Sequence, residues 1–428
     1  MSYQSPISPG ISWYEATVGE RPEYPPLDGD KQVDVVIIGG GFTGLSAAAH
    51  LAQAGVNVAL IEAHRFGDGA SGRNGGQLGT GQRAWPEELE QELGFTRAKA
   101  LFDLGEEAKA HLLEFAETNG IEIDYVPGQM SVAHKARYVD EYRAHADIMR
   151  ERFSYPHISF MDARETAERL GSPRYFGGTR DTGTGHIHPL KLLVGTARVA
   201  ASAGAQLHEQ TKATNVRSEG GGVQVTTPHG TITAEKSLIA TNAYGGALEP
   251  KTAAHLMPIG SFIATTAPLG ADSPVLPGGE SVDDSRFVVR YFRKSNDGRL
   301  LFGGREVYSN GDPKDIGSQI RRQITEIYSS LADVEITHAW GGYVGITMPR
   351  KPFVREVMPH VIAAGGYSGH GIMLSNFTGK LYAETVCGNR VRLKLLEEFD
   401  IPPFPGGRLF RHALLFLALN WYALRDRI

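Results

Sequence analysis

Residues 32–61, QVDVVIIGGGFTGLSAAAHLAQAGVNVALI, constrain this chain more than any other stretch. QVDVVII is a continuous β-branched run of the kind buried in a parallel sheet. Three glycines follow, then TGLSAAAHLAQAG, a helical composition with small residues where a helix must approach a sheet, and Gly55 is a natural stop. VNVALIEA reads as a second strand. The turn GGGFTG places Gly39, Gly41 and Gly44 in G-x-G-x-x-G spacing. These glycines allow a tight turn, close approach of backbone to a pyrophosphate, and close packing of helix on strand, while the helix N-terminus offers N–H groups to phosphate. Glu62, 18 residues beyond Gly44, ends the second strand, where a carboxylate accepts hydrogen bonds from ribose hydroxyls. An ordinary βαβ unit with a glycine turn is the alternative, and the ordered strand, helix, strand and acid argue against it.

GASGRNGGQ (69–77) begins only seven residues after Glu62 and sets four glycines around one arginine. A unit binding NAD would pass from the acid into its next helix, so a second bare-backbone segment implies a longer cofactor, FAD. Its glycines permit close approach to the pyrophosphate and ribityl chain, with Ser71, Arg73 and Asn74 as polar contacts. A solvated loop arginine is the other reading of Arg73.

A chain of 428 residues suggests two or three domains. The formal charge, 43 minus 48 or −5, comes without a basic block, so nucleic acid is not expected as a partner and a small ligand is. One cysteine, Cys387, leaves no internal disulfide and no cysteine metal cluster. No metal site is expected. That usage agrees with a reducing compartment, and the cytoplasm is the default location. The first thirty residues lack the apolar core of a secretory signal and read as an arm across the surface. HALLFLALNWYAL (412–424) is shorter than the roughly 20 residues that span a bilayer. It reads as a packed helix, with a dimer contact or a membrane-surface anchor as alternatives.

GGGFTGLSAAAHLAQAG, the Glu62 strand and GASGRNGGQ together resemble the FAD-dependent amine and amino-acid oxidoreductases of the D-amino-acid oxidase and glycine oxidase superfamily. SGRNGGQ, GHIHPL, the turn GYSGHG, PFPGGR and a terminal LRDR resemble, within it, the branch that oxidises γ-glutamylputrescine-type amines. The resemblance implies an α/β fold: a Rossmann-like FAD-binding domain (31–80, 185–250 and 350–388) with an inserted α+β substrate domain of mixed sheet (81–184 and 251–349). An arm (1–30) and a C-terminal tail and helix (389–428) complete the chain, and the interdomain cleft holds substrate. It implies a cofactor shell of Gly39, Gly41, Phe42, Thr43, Gly44, Glu62, Ala63, Ser71, Gly72, Arg73, Asn74, Gly75, Gly76 and Gln77. Val216 would meet the adenine, Thr241, Asn242 and Ala243 would border the flavin, and Gly369, His370, Gly371 and Ile372 would begin a helix aimed at it. Reduced flavin carries negative charge that a helix N-terminus stabilises. Cys387 lies well past that turn and reads as a buried structural thiol, so FAD is expected to be non-covalent.

The implied chemistry is oxidation of an amine-bearing carbon, hydrolysis of the imine, and reoxidation by O2 to H2O2 or by another acceptor. No second G-x-G-x-x-G unit is present, which suggests electrons drawn directly from the organic substrate. His370 is the first choice beside the flavin, with a backbone-satisfied turn histidine as the alternative. Arg73 is a further catalytic candidate by the same neighbourhood. Trp340 and Tyr343 are candidates for an aromatic wall over the amine, and Arg305 and Arg350 for a substrate carboxylate. His186 and His188 in GHIHP read as structural or helix-capping residues, Pro189 opening a helix. Two other functions stay open: a D-amino-acid or N-alkyl amino-acid dehydrogenase passing electrons to a quinone, and a flavin-binding scaffold without catalysis. The oligomeric state is not legible.

Overall fold

The computed structural model describes residues 3–307 and 315–405; residues 412–424 and the LRDR ending lie outside the described residues, as do 406–408 of PFPGGR and the side chain of Arg305. One sheet has its strands in the order Phe353–Met358, Val361–Gly365, Gly230–Ile239, Lys31–Ile38, Val58–Ile61 and Gln206–His208. Gly222–Thr227 and Asn215–Glu219 run antiparallel from Gly230–Ile239. From Val361–Gly365 to Gln206–His208 every neighbouring pair is parallel. A parallel sheet needs cover on both faces, and Val35, Val36, Ile37 and Ile38 are all buried. Helix Phe42–Gln53 packs between Pro189–Ser202 and Gly371–Val386.

The second sheet runs Gly10–Ile11, Ile336–Ile346, Met257–Thr266, Leu300–Val307, Tyr291–Lys294, Ser281–Asp284, Val126–Val132, Gly178–His186, Ile158–Met161. Only the pair Ser281–Asp284 and Val126–Val132 is parallel. Helix Ile316–Ile327 buries Ile320, Ile324 and Ile327, a single stripe at helical spacing, in a core with Phe262, Phe292 and Phe302. The α/β fold with a mixed second sheet is therefore the one expected.

Three details differ from the sequence reading. The N-terminal arm is built in: Gly10 and Ile11 pair with Trp340 and Ala339, and Tyr14 is 0 % exposed. Its Trp13 and Tyr14 gain too much from burial to lie on a surface. Helix Phe95–Thr118, expected with the substrate sheet, packs on Gly371–Val386 and places Leu101, Ala108, Leu112 and Phe115 in the core of the parallel sheet. Its apolar stripe follows from that contact. Cys387 is exposed, because it caps the end of Gly371–Val386 instead of lying within it.

Candidate active site

The glycine turn is locked from two sides. Gly39 has φ +112°, and a Cβ on it would meet the Ala240 carbonyl oxygen at 2.8 Å. A Cβ on Gly44 would overlap the Gly39 carbonyl oxygen, so the helix rests directly on the turn. A Cβ on Gly41 would stand 2.8 Å from Ser71 Oγ, which accepts from the Phe42 N–H at 3.0 Å and joins the two glycine segments. Glu62 reaches back to the turn: its Oε2 accepts from Gly40 N at 2.8 Å and its Oε1 from His64 N at 3.0 Å. Burial raises the Glu62 carboxyl above its ordinary range, while those two N–H groups oppose the shift.

GASGRNGGQ uses its polar side chains to build itself. Arg73 Nε donates to Gly341 O at 2.6 Å, and Nη2 donates to Pro9 O at 2.7 Å and Gly10 O at 2.9 Å. Its Nε and Nη2 are committed to three carbonyls, which makes Arg73 a clamp on arm and strand that also reaches the cavity. Asn74 donates to the Ala70 and Ser71 carbonyls and accepts from Gly76 N at 2.9 Å. Gln77 donates to Val282 O at 2.8 Å. Beneath the loop Arg293 is buried, donating to Gly75 O at 2.7 Å, Ile187 O at 3.1 Å and the Tyr14 hydroxyl at 3.1 Å. Every residue of the loop from Ala70 to Gln77 except Gly72 lines the adjoining space.

That space is a cavity of about 520 Å³ between the two sheets. Gly41, Phe42, Thr43, Ser71, Arg73, Asn74, Gly75, Gly76, Gln77, Asn242, Gly369, His370, Gly371, Ile372 and Arg350 all reach its wall. Gly39, Gly44, Glu62, Ala63, Gly72, Thr241 and Ala243 are not in that wall, and Val216 is buried in its strand, opposite Val225. Asn242, at φ +44°, accepts from Gly366 N at 2.9 Å and ties the 242–244 turn to the 366–370 turn. Helix Gly371–Val386 starts in the wall.

Trp340 is 0 % exposed and donates to Arg73 O at 3.0 Å; it supports the arginine loop and is not an aromatic wall. Tyr343 is absent from the wall as well, its ring packed edge-on to Tyr244 at 5.9 Å. Trp85, Tyr142, Phe287, Tyr291 and Tyr367 supply the aromatic lining instead. Arg350, at φ +55°, sets its guanidinium 4.7 Å from the Phe287 ring centroid. Arg305 belongs by its backbone to Leu300–Val307, paired with Phe262. Sequence reasoning missed Arg83, Gln129 and Asp283, which the inserted sheet and its preceding loop bring to the cavity.

His370 is buried with its ring against Gly79, where a Cβ would collide. Burial and the charges of Arg83 and Lys109 push it down to about 3, so the imidazole is neutral at physiological pH. His186 and His188 are also held neutral, each pushed down to about 3 by burial and by Arg293. His186 Nε2 donates to Gly279 O at 3.0 Å while Nδ1 faces Arg293 Nη1 at 3.3 Å. His188 caps helix Pro189–Ser202, Nδ1 accepting from Lys191 N at 3.2 Å, the structural role expected of it.

A pH prediction follows. An unfolded histidine titrates near 6.5, so between about 6.5 and about 3 the unfolded chain binds protons that these native histidines refuse. Stability is full above about 6.5 and falls as pH drops through that window, by about 1–3 kcal/mol per histidine at pH 4.5. Urea midpoints at pH 7.5 and 4.5 measure it. His186→Gln keeps the donor and is expected to lose less on acidification; identical losses in both proteins would refute the assignment.

A β-turn-α-β unit with locked glycines, a carboxylate on its turn and a cavity at its helix end has the form of a dinucleotide-binding unit, and the second bare loop along the cavity leaves room for a long cofactor. The family profile of FAD-dependent oxidoreductases (DAO) matches residues 34–385. A probable oxidoreductase, OrdL, of Rhizobium meliloti is 63 % identical over 427 residues, covering 100 % of both chains. The γ-glutamylputrescine oxidoreductase of Escherichia coli is 33 % identical over 420 residues, 97 % of this chain and 98 % of its own. The glycine oxidase structure from Geobacillus kaustophilus superimposes with a TM-score of 0.71 at 24 % identity, over 83 % of this chain and 95 % of that one, and supports the fold. This chain belongs to the DAO family of FAD-dependent oxidoreductases. Among the described residues no helix is long and apolar enough to cross a membrane.

Proposed function

We propose that this enzyme oxidises the amine-bearing carbon of a γ-glutamylputrescine-type substrate to an imine, which water converts to an aldehyde and ammonia, with O2 as the final acceptor. The observation that carries the reading is the cavity itself: the dinucleotide turn, the second glycine loop and the start of a long helix share it with a charged and aromatic wall from the inserted sheet. The relative from E. coli, 33 % identical over nearly the whole chain, supports the substrate class.

The residues fit the cofactor. Gly39, Gly41 and Gly44 leave the backbone bare at the helix start, Glu62 holds that turn through Gly40 N, and the 69–77 loop lines the cavity along which the rest of the dinucleotide would lie. Bound non-covalently, FAD supplies the acceptor at N5 for the hydride leaving the substrate carbon. The start of helix Gly371–Val386 favours negative charge in the wall, and neutral His370 adds no cation there. The substrate nitrogen gives up its proton to water as the C=N bond forms, and the protein's part is orientation and exclusion of bulk water. No strong side-chain base is required if the amine binds neutral.

Anaerobic mixing of the yellow holoenzyme with γ-glutamylputrescine tests this. Prompt bleaching of the flavin, reversed by air with one peroxide per turnover, is the expected result. An unbleached flavin refutes the substrate assignment and leaves the family intact.

A further inference from the structure

A side chamber of about 120 Å³ adjoins the large cavity, and Arg83, Gln129, Asp283 and His370 stand in the walls of both. Its polar lining is lopsided. Gln82 is 6 % exposed; its amide nitrogen donates to Leu101 O at 2.9 Å, and its Oε1 has no partner. Gln129 Oε1 is also buried without a partner. His370 Nε2 is a third buried polar atom without a partner. Asp283 accepts from Ser131 Oγ at 2.5 Å through one oxygen. Asp181 in the same wall is already supplied by Thr80, Tyr155 and Gly183 N at 2.6–2.8 Å.

Buried polar atoms without partners are costly, so a chamber that gathers two bare amide oxygens and a neutral imidazole nitrogen beside a carboxylate is shaped for a group rich in N–H. A primary ammonium brings three donors and the complementary charge. Trp85 and Tyr142 add aromatic rings to the same lining, a second feature that suits a cation. Arg83 is the one lysine or arginine in that lining among the described residues, against two aspartates.

We propose that the side chamber is an ammonium subsite in which Asp283, Gln129, Gln82 and His370 receive a positively charged amine of the substrate other than the one oxidised. The inference rests on the amine-oxidation reading above and narrows it: the substrate carries two amino nitrogens. The second is the α-ammonium of a γ-glutamyl head or the far end of a free diamine.

Titration calorimetry on the reduced holoenzyme, kept anaerobic so that no turnover occurs, separates the possibilities with 1,4-diaminobutane, γ-glutamylputrescine, its α-N-acetyl derivative and butylamine, run beside anaerobic flavin reduction of the oxidised holoenzyme. Asp283→Asn is expected to weaken ligands that carry the second ammonium about tenfold or more and to leave butylamine within about twofold. Sensitivity of the conjugate but not of its acetylated form assigns the chamber to the α-ammonium; sensitivity of the diamine alone assigns it to a diamine end. Equal weakening of all ligands, or of none, overturns the subsite and makes the chamber a water pocket. Selective weakening without flavin reduction by any ligand upholds the subsite and refutes the oxidation. Gln129→Leu, which removes one orphan acceptor and no charge, is the second variant, with an expected selective loss of about threefold or more.

Discussion

Gly44→Val is expected to give protein that purifies without flavin and rebinds FAD at least about a hundredfold more weakly, a loss of about 3 kcal/mol. A Cβ at this position overlaps the Gly39 carbonyl oxygen, a backbone atom that no rotamer change can move. Gly39 has no room to yield, since its own φ is +112° and Ala240 closes its other side. The helix Phe42–Gln53 must therefore lift from the strand, taking its first N–H groups away from the phosphate position. Gly55→Ala is the control: φ is +80° there but the space around it is open, so a cost of about 1 kcal/mol with the flavin retained is expected. The ratio of flavin to protein absorbance, before and after dialysis against FAD, gives the answer. Full flavin content in Gly44→Val would mean that this turn does not hold the dinucleotide.

These glycines were legible because their constraint is local. Gly44 rests on Gly39 and Glu62 reaches Gly40 within a single strand-turn-helix-strand unit, and spacing along the chain is spacing in space. The partners of Arg73 were not legible for the opposite reason. Pro9 and Gly341 lie 64 and 268 residues away, and nothing in SGRNGGQ points to them. Loop composition marked a segment that lines the cavity; it could not tell which of its groups are spent on holding distant chain together.

The inserted sheet was the least legible part. Asp283 and Gln129 sit on neighbouring strands, Ser281–Asp284 and Val126–Val132, whose pairing joins positions more than 150 residues apart, and neither carries a motif. One error was avoidable. Trp340 and Tyr343 are three residues apart on one strand, so side-chain alternation sends them to opposite faces, and they could not both wall one cavity. The same alternation in RYFRK put Arg293 beneath the glycine loop, but only the register with Leu300–Val307 says which face of that strand is the inner one.

Replacement of Arg73 by methionine is expected to cost about 2–4 kcal/mol of stability and, in the same variant, most of the bound flavin. The side chain keeps its apolar length but leaves the carbonyls of Pro9, Gly10 and Gly341 without their charged donor. Each is part of the joint where the N-terminal arm, the Ile336–Ile346 strand and the glycine loop meet, and Gly341 N still donates to Pro9 O at 2.9 Å, so the joint loosens without falling apart. Lysine is not a substitute, because an ammonium cannot reach three carbonyls with the planar fork of a guanidinium; Arg73→Lys is expected to fall between wild type and Arg73→Met. Denaturant midpoints with and without excess FAD separate the two consequences. If the arginine acts through the loop, added FAD restores part of the stability by binding the folded form. If Arg73 instead touched the cofactor directly, flavin affinity would collapse while the apoprotein kept its midpoint, and the clamp assigned to it would be wrong.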